Sequence, residues 1–337
     1  MTPVKLRGAA TVIVMAHCLR EVLDVVPATR FTDPAAVDAW DAWFRWREGH
    51  SLRDLTIDDT WWRVAQSVVG IEGIEAPLWS HRFVDAFSHW RLLPDERLLQ
   101  AAGTGASLDD FPAPTAALNI AAFVAVVPGM QPRLALSRII ETAALAVRLL
   151  DDAIATFGTS PCVAGLRIGV IGVADALGML GIPYASVEAQ HQARVLARAV
   201  AEGCLRGAID LAEERGEREK QVDRRHLAAR WQARNMSPGL IQDGVRSGVR
   251  HGMLTAIDPH PRLARLANNV ADALDPSSTF FGPQTVSDEV ADTHVHAGRA
   301  IRMAMQPWID APIEQLRRPV VSSRINRGMP IEGRGLT

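Results

Sequence analysis

The chain has 337 residues, 48% hydrophobic and 22% charged, with a formal net charge of -2. That much apolar side chain collapses into a core, which excludes wholesale disorder, and the length fits one domain or two. The near-neutral balance offers no global basic field for nucleic acid or an anionic membrane, and Cys18, Cys162 and Cys204, without CxxC spacing, make neither a disulfide framework nor a zinc knuckle.

In chain order, the N-terminal stretch carries an apolar patch (Ala9 to Ala16) without a signal-type cleavage site. Asp33-Pro34 starts a helix, with Val37, Trp40, Trp43, Phe44 and Trp46 at helical spacing and Gly49 as the stop. Its tryptophans read as core rather than as a ligand-stacking face. Thr56 and Asp59 form a capping-box pair before the stripe Trp61, Val64, Ala65 and Val68. A third segment runs from Trp79 to Trp90. The breaker-rich stretch Ala101 to Pro114 marks a boundary. Leu118 to Val127 is a continuous apolar run, either a buried strand or a short buried helix. Ser137 to Phe157 is a helix, and Arg167 to Leu180 is apolar on nearly every side and therefore buried. Ser186 to Arg215 is a long amphipathic helix, Glu213 to His226 a charge run expected on a solvated face, Gly252 to Ile257 a short strand, and Ser287 to Ile309 another helix. From Arg317 the tail is rich in Arg, Gly and Pro, and is expected to be frayed or docked.

No apolar run reaches the roughly 18–20 residues of a membrane span, so the expectation is a cytoplasmic protein. Only Lys5 and Lys220 are lysine, and the arginine excess reads as compositional bias. The residue chemistry is quiet. His294 and His296, two apart on a helix, point to different sides and make no metal pair; His294 reads as a core histidine. The pairs Asp58-Asp59, Asp109-Asp110 and Asp151-Asp152 are adjacent and are not expected to converge on one atom. Gly169 and Gly172 lack the spacing of a phosphate loop and are expected at close helix contacts. The cysteines read as small buried hydrophobes.

One stretch is specific. Arg167-Ile-Gly-Val-Ile-Gly-Val-Ala-Asp-Ala-Leu-Gly-Met-Leu-Gly-Ile-Pro-Tyr-Ala-Ser186 resembles the ribonucleotide reductase large chain, where it reads R-x-G-x-x-G-x-A-D-x-L-x-x-L-G-x-x-Y-x-S. Other pieces follow in the family's order. Asp58 to Ala65 and Arg91 to Thr104 resemble the helix and the "LP-x-x-P-x-L-x-N-A-G-T" segment. Ala117 to Val124 resembles "S-I-N-L-A-A-F-V", and Arg148-Leu-Leu-Asp-Asp152 resembles "R-x-L-D-N". Met253 to Pro259, continuing to Ala273 to Pro276, resembles "L-L-T-I-A-P-T-G-T-x-S … G-I-E-P". The Gly-Ile-Pro-Tyr184 detail is closest to the cobalamin-dependent branch (class II).

The resemblance implies a mainly α chain with a minor α/β part: a helical N-terminal region (1–105) similar to the family's cap, a degenerate remnant of its α/β barrel (106–316) and a tail (317–337). It also implies adenosylcobalamin as cofactor. The departures bear on function. In the family a long segment between "A-G-T" and "I-N-L" supplies a reducing cysteine, the effector loops and the finger loop with the radical cysteine. Here only Gly105 to Ala117 separates those pieces. At the phosphate loop stands Pro259-His-Pro-Arg262, and a proline in place of that glycine has no N–H for a phosphate and a fixed φ. The expectation is a shortened relative without the catalytic set and without cofactor use. Gly103, Thr104, Asn119, Asp258, His260 and Arg262 are its candidate nucleotide- or anion-binding residues. A remnant barrel leaves a sheet edge uncovered, so the expected partner is a second copy or another protein chain, with a nucleotide as the further candidate ligand. The alternative is a subunit of a split ribonucleoside-diphosphate reductase, an oxidoreductase of deoxyribonucleotide synthesis, completed by another chain. A new activity built on Asp258, His260 and Arg262 is the remaining rival to their reading as a polar turn.

Overall fold

The computed structural model describes residues 26–108, 113–158, 165–218, 223–276 and 288–313. Helix α1 (Pro34–Trp43) starts as the sequence predicts: the Asp33 carboxylate accepts from the Ala35 N–H at 2.8 Å. It stops at Trp43, short of Gly49. The amides of Phe44 and Arg45 both donate to the Trp40 carbonyl, which closes the last turn and puts Trp46 outside the helical stripe. Gly49, at φ +58°, instead turns a small hairpin of β1 (Arg47–Glu48) and β2 (Ser51–Leu52). Helix α2 (Ile57–Val68) carries the Thr56–Asp59 capping box, and its four-residue stripe is buried. A 3₁₀ segment (Val69–Glu75) leads into α3 (Ala76–Ser88), which buries Phe83, Ala86 and Phe87.

The α/β part is small. Strand β3 (Leu92–Pro94) precedes α4 (Glu96–Ala101) and pairs antiparallel with β4 (Thr115–Asn119). The apolar run from Leu118 resolves into both of its readings. The strand ends at Asn119, one 3₁₀ turn covers Ile120–Phe123, and β5 (Val124–Ala125) starts a hairpin with β6 (Arg133–Leu134). Helix α5 (Leu136–Phe157) then carries the chain back to β7 (Arg167–Ile171), which pairs parallel with β4, Thr115 opposite Arg167. Parallel neighbours need such a crossover, and β4–α5–β7 is one βαβ unit. Beyond β7 the segment at Leu254–Ala256 adds a parallel bridge, Ile168 opposite Thr255, where a strand was expected. Among the described residues the sheet stays open, with β3 at one edge.

The glycines expected at helix contacts serve the sheet. Gly169 lies inside β7, where a Cβ would stand 2.5 Å from the Ala256 carbonyl oxygen. Gly172, at φ +69°, turns β7 into α6 (Val173–Met179), and a Cβ there would meet Asn119 Oδ1 at 2.6 Å. The earlier expectation fails because the buried segment is a strand, a turn and a helix rather than one helix.

Close helix contact occurs elsewhere. Helix α7 (Val187–Arg215), capped by Ser186, runs against α5. A Cβ on Gly203 would meet the Ile140 carbonyl oxygen at 2.3 Å, and one on Gly207 the Ala144 carbonyl oxygen at 2.7 Å. Helices α8 (Arg224–Ala233), α9 (Pro238–Ser247), α10 (Pro261–Leu266) and α11 (Asp288–Met305) complete the chain. Helix α11 packs along α7 with Ile301 and Met305 buried, and His294 is half-buried and stacked 6.3 Å from Tyr184. The fold is mainly α with a minor α/β part that fits a barrel remnant. Among the described residues no helix is long and apolar enough to cross a membrane. Cys18, Cys162, Asp109-Asp110, the N-terminal patch and the tail from Arg317 lie outside the described residues.

Candidate functional site

The six candidate residues divide among three places. Asn119 ends β4, buried, with Oδ1 lacking a hydrogen-bond partner among the described residues. Asp258 is held by Arg167 from the first position of β7, with Nε to Oδ2 at 2.6 Å and Nη2 to Oδ1 at 2.5 Å. His260 precedes α10. Its N–H donates to Asp272 Oδ1 at 2.6 Å, and its buried Nε2 has no partner among the described residues. Burial pushes the His260 pKa down, against the pull of the Asp258 and Asp272 charges, so the ring is neutral near pH 7. Arg262 is half-exposed, 3.6 Å from Glu96 and over the Trp43 ring at 5.5 Å. Pro261 starts α10, so this stretch is a helix entry rather than a wrap of backbone N–H groups around an anion.

Gly103 and Thr104 belong to another surface. Thr104 is engaged in its own turn, its hydroxyl donating to the Ala101 carbonyl at 2.8 Å. Gly103, at φ +74°, lies against Ser67 and Arg63 and borders a cleft of about 390 Å³ with Trp46 and Trp62.

The densest polar cluster joins the 3₁₀ segment, α5, α7 and Arg250-His251. Arg215 Nη1 donates to Asp151 Oδ2 at 2.8 Å and to Asp152 Oδ1 at 2.7 Å, and Nη2 donates to Glu72 Oε1 at 2.5 Å. Arg148 bridges Glu72 and Glu214. Arg250 Nε and His251 Nε2 both reach Asp151 Oδ1, at 3.0 and 2.9 Å. Two expectations are corrected. The adjacent Asp151 and Asp152 do converge on one atom, because an arginine from a second helix reaches both. Arg215, read as part of a solvated run, belongs to this seam because the last turn of α7 lies over α5, whereas Glu214 is exposed as expected and pairs with Arg148 from the rim. Burial opposes ionisation of Asp151, but the hydrogen bond and charge of His251, with Arg250, hold its pKa well below the usual carboxylate range. Asp152 goes the other way: burial, reinforced by the Glu72 charge and opposed by Arg215, pushes it up to about 8. Sequence reasoning missed Glu72, Arg250 and His251, and the match at Arg148 to Asp152 was its only signal.

The family model of the ribonucleotide reductase barrel domain matches residues 115–297, more than half of the chain. The chain therefore belongs to the ribonucleotide reductase barrel-domain family. Among curated proteins none matches the sequence. The match begins at β4 and covers the β4–α5–β7 unit, Asp258 to Arg262 and the α5–α7 seam. Adenosylcobalamin, implied by the resemblance, would in that family act through a cysteine thiol. Among the described residues the one cysteine, Cys204, is fully buried on α7, and burial raises its thiol pKa well above the ordinary value. Cys204 does not fit the role of that thiol.

Proposed function

We propose that this reductase-family chain does not itself reduce ribonucleotides and acts by binding, with a partner chain or a nucleotide as ligand. One observation carries the reading. The edge of β7 beside Gly169 is taken by the backbone at Leu254–Ala256, with Asp258 clamped to Arg167 next to it. A substrate between the strands has that space taken by the chain. The degeneracy of the catalytic set, the departure from cobalamin chemistry and the cytoplasmic setting belong to this reading. The test is an assay of purified full-length chain with nucleoside di- and triphosphates, adenosylcobalamin and a dithiol. The expected outcome is no deoxyribonucleotide above background, and robust turnover overturns the reading.

A second reading, the split reductase subunit, is favoured by the open sheet and by the exposed apolar tip of the β5–β6 hairpin, Val126, Val127 and Met130. A partner, or a second copy, that covers these surfaces gives a larger species in light scattering. A monodisperse monomer at micromolar concentration counts against it.

A further inference from the structure

The cleft beside Gly103 is built differently from the rest of the molecule. It lies between the β1–β2 hairpin and the outer face of α2, and its walls are the half-buried indoles of Trp46 and Trp62. The floor is rigid. Arg63 Nε and Nη2 grip Asp54, Nη1 donates to the Ala102 carbonyl at 2.5 Å, and Nη2 also reaches the Leu99 carbonyl at 3.1 Å. Asp54 is committed further, to the Trp46 N–H at 3.1 Å and the Thr60 hydroxyl at 2.7 Å. Asp59, at the rim, is committed to the amides of Leu55 and Thr56. Gly103 leaves room that any side chain would take from Ser67 and Arg63.

The unused groups define the ligand. Trp40, Trp61, Trp79, Trp90 and Trp308 all donate their Nε1–H to a protein oxygen. Among the described residues Trp46 and Trp62 donate theirs to none, as do Trp43 and Trp231 elsewhere, and the Gln66 amide at the same cleft is likewise unengaged. The one further cation at the rim is Arg53, ion-paired with Glu48 while both are more than half exposed, a pairing that water screens and a ligand can displace. Arg53 and Arg63 each lie 5.9 Å from the Trp46 ring centre, which disfavours a cationic guest on that face. What remains is two indoles with their donors, Trp46 with Arg53 and Arg63 beside its ring and Trp62 with the His81 ring edge-on at 4.7 Å, and an arginine, with both nearby carboxylates occupied.

We propose that this cleft binds a planar, acceptor-rich heteroaromatic anion of nucleotide type, its ring against Trp46 and Trp62 and its anionic group on Arg53. Stacking of a base on an aromatic side chain is worth about 1–3 kcal/mol. The proposal rests on the binding role stated above and gives it a place. It is tested by titrating adenosine 5′-monophosphate, adenosine and inorganic phosphate separately into the full chain while following tryptophan fluorescence. Saturable quenching is expected with the first two and none with phosphate. Trp46→Ala and Trp62→Ala are expected to weaken both nucleoside ligands about tenfold or more, whereas Trp62→Phe keeps most of the affinity. Arg53→Ala is expected to weaken the monophosphate about three- to tenfold and leave adenosine unchanged, a split that decides the matter even if the tryptophan variants do not fold. Absence of a saturable response up to about 5 mM, or equal affinity in the variants, overturns the proposal. Reductase turnover overturns the binding-only role and leaves the cleft standing, so the two failures are distinguishable.

Discussion

The α5–α7 seam and the small sheet hold their carboxylates differently. In the seam, Asp151 accepts from Arg215, Arg250 and His251, and Glu72 accepts from Arg148 and Arg215. At the sheet, Asn119 Oδ1 and His260 Nε2 are buried with no partner among the described residues, as is Asp152 Oδ2 in the seam, and the ion pairs stand separately, Arg97–Asp95 at the end of β3 and Arg167–Asp258 near the surface. Buried polar atoms are normally satisfied, so Asn119 and His260 are the places at the sheet where a further group would find an acceptor or donor waiting. The difference teaches that the helices are joined by carboxylates shared among several cations, whereas the sheet is held by separate pairs.

The comparison breaks most readily at Asp151. Asp151→Ala leaves Arg215, Arg250 and His251 without their shared carboxylate, a loss expected to destabilise by about 3–5 kcal/mol. Chemical denaturation measures it, and a loss below about 1 kcal/mol means that the seam is not the clamp described. Gly203→Ala pushes a methyl group into the Ile140 carbonyl and is expected to cost about 1–3 kcal/mol, because backbone rather than a flexible side chain must move. An unchanged melting temperature there means that α5 and α7 stand further apart than the structure has them.

Asp152→Asn sharpens the comparison by pH. The folded-state pKa of about 8 lies above the unfolded value near 3.9, so protonated Asp152 supports the fold at low pH. That support is fully present below about pH 4 and is lost as pH rises through about 8. An asparagine keeps the acceptor for Arg215 without the charge next to Glu72. The variant is expected to match the parent near pH 4 and to exceed it near pH 8 by several kcal/mol, at most about 5 kcal/mol for a shift of this size. A constant difference across that range sinks the account of Asp152. The smallest effect is expected at the sheet. Asp258→Ala removes an ion pair whose side chains are 27% and 38% exposed, and screening limits the loss to about 0–1 kcal/mol. A much larger loss shows that this pair, and not the seam, organises the molecule.

Much of the local structure was legible. Asp33, Thr56 and Ser186 cap their helices as their side chains dictate, because an N-cap is decided within four residues. The family stretch from Arg167 to Ser186 was legible too, although its secondary structure was not. An apolar run carries no period that separates a strand from a helix, and only the neighbouring backbones of β4 and Ala256 settle it. The cleft was illegible for a related reason. Trp46 stands at helical spacing after Trp43, and its partial exposure follows from a helix end three residues earlier, set by the doubled hydrogen bond to the Trp40 carbonyl.

The sequence by itself determined the helix-rich character, the caps, membership in the reductase family and the scarcity of thiols. These depend on composition, on neighbours a few residues apart, or on motifs read in order. Only the tertiary structure decided that Asp151 and Asp152 meet one guanidinium 63 residues away from Asp152, that Gly169 serves the Ala256 backbone, and that two indoles flank Gly103. Each of these is a contact between distant segments. Its strength depends on burial and on distances of 3 Å or less, quantities that residue order does not contain.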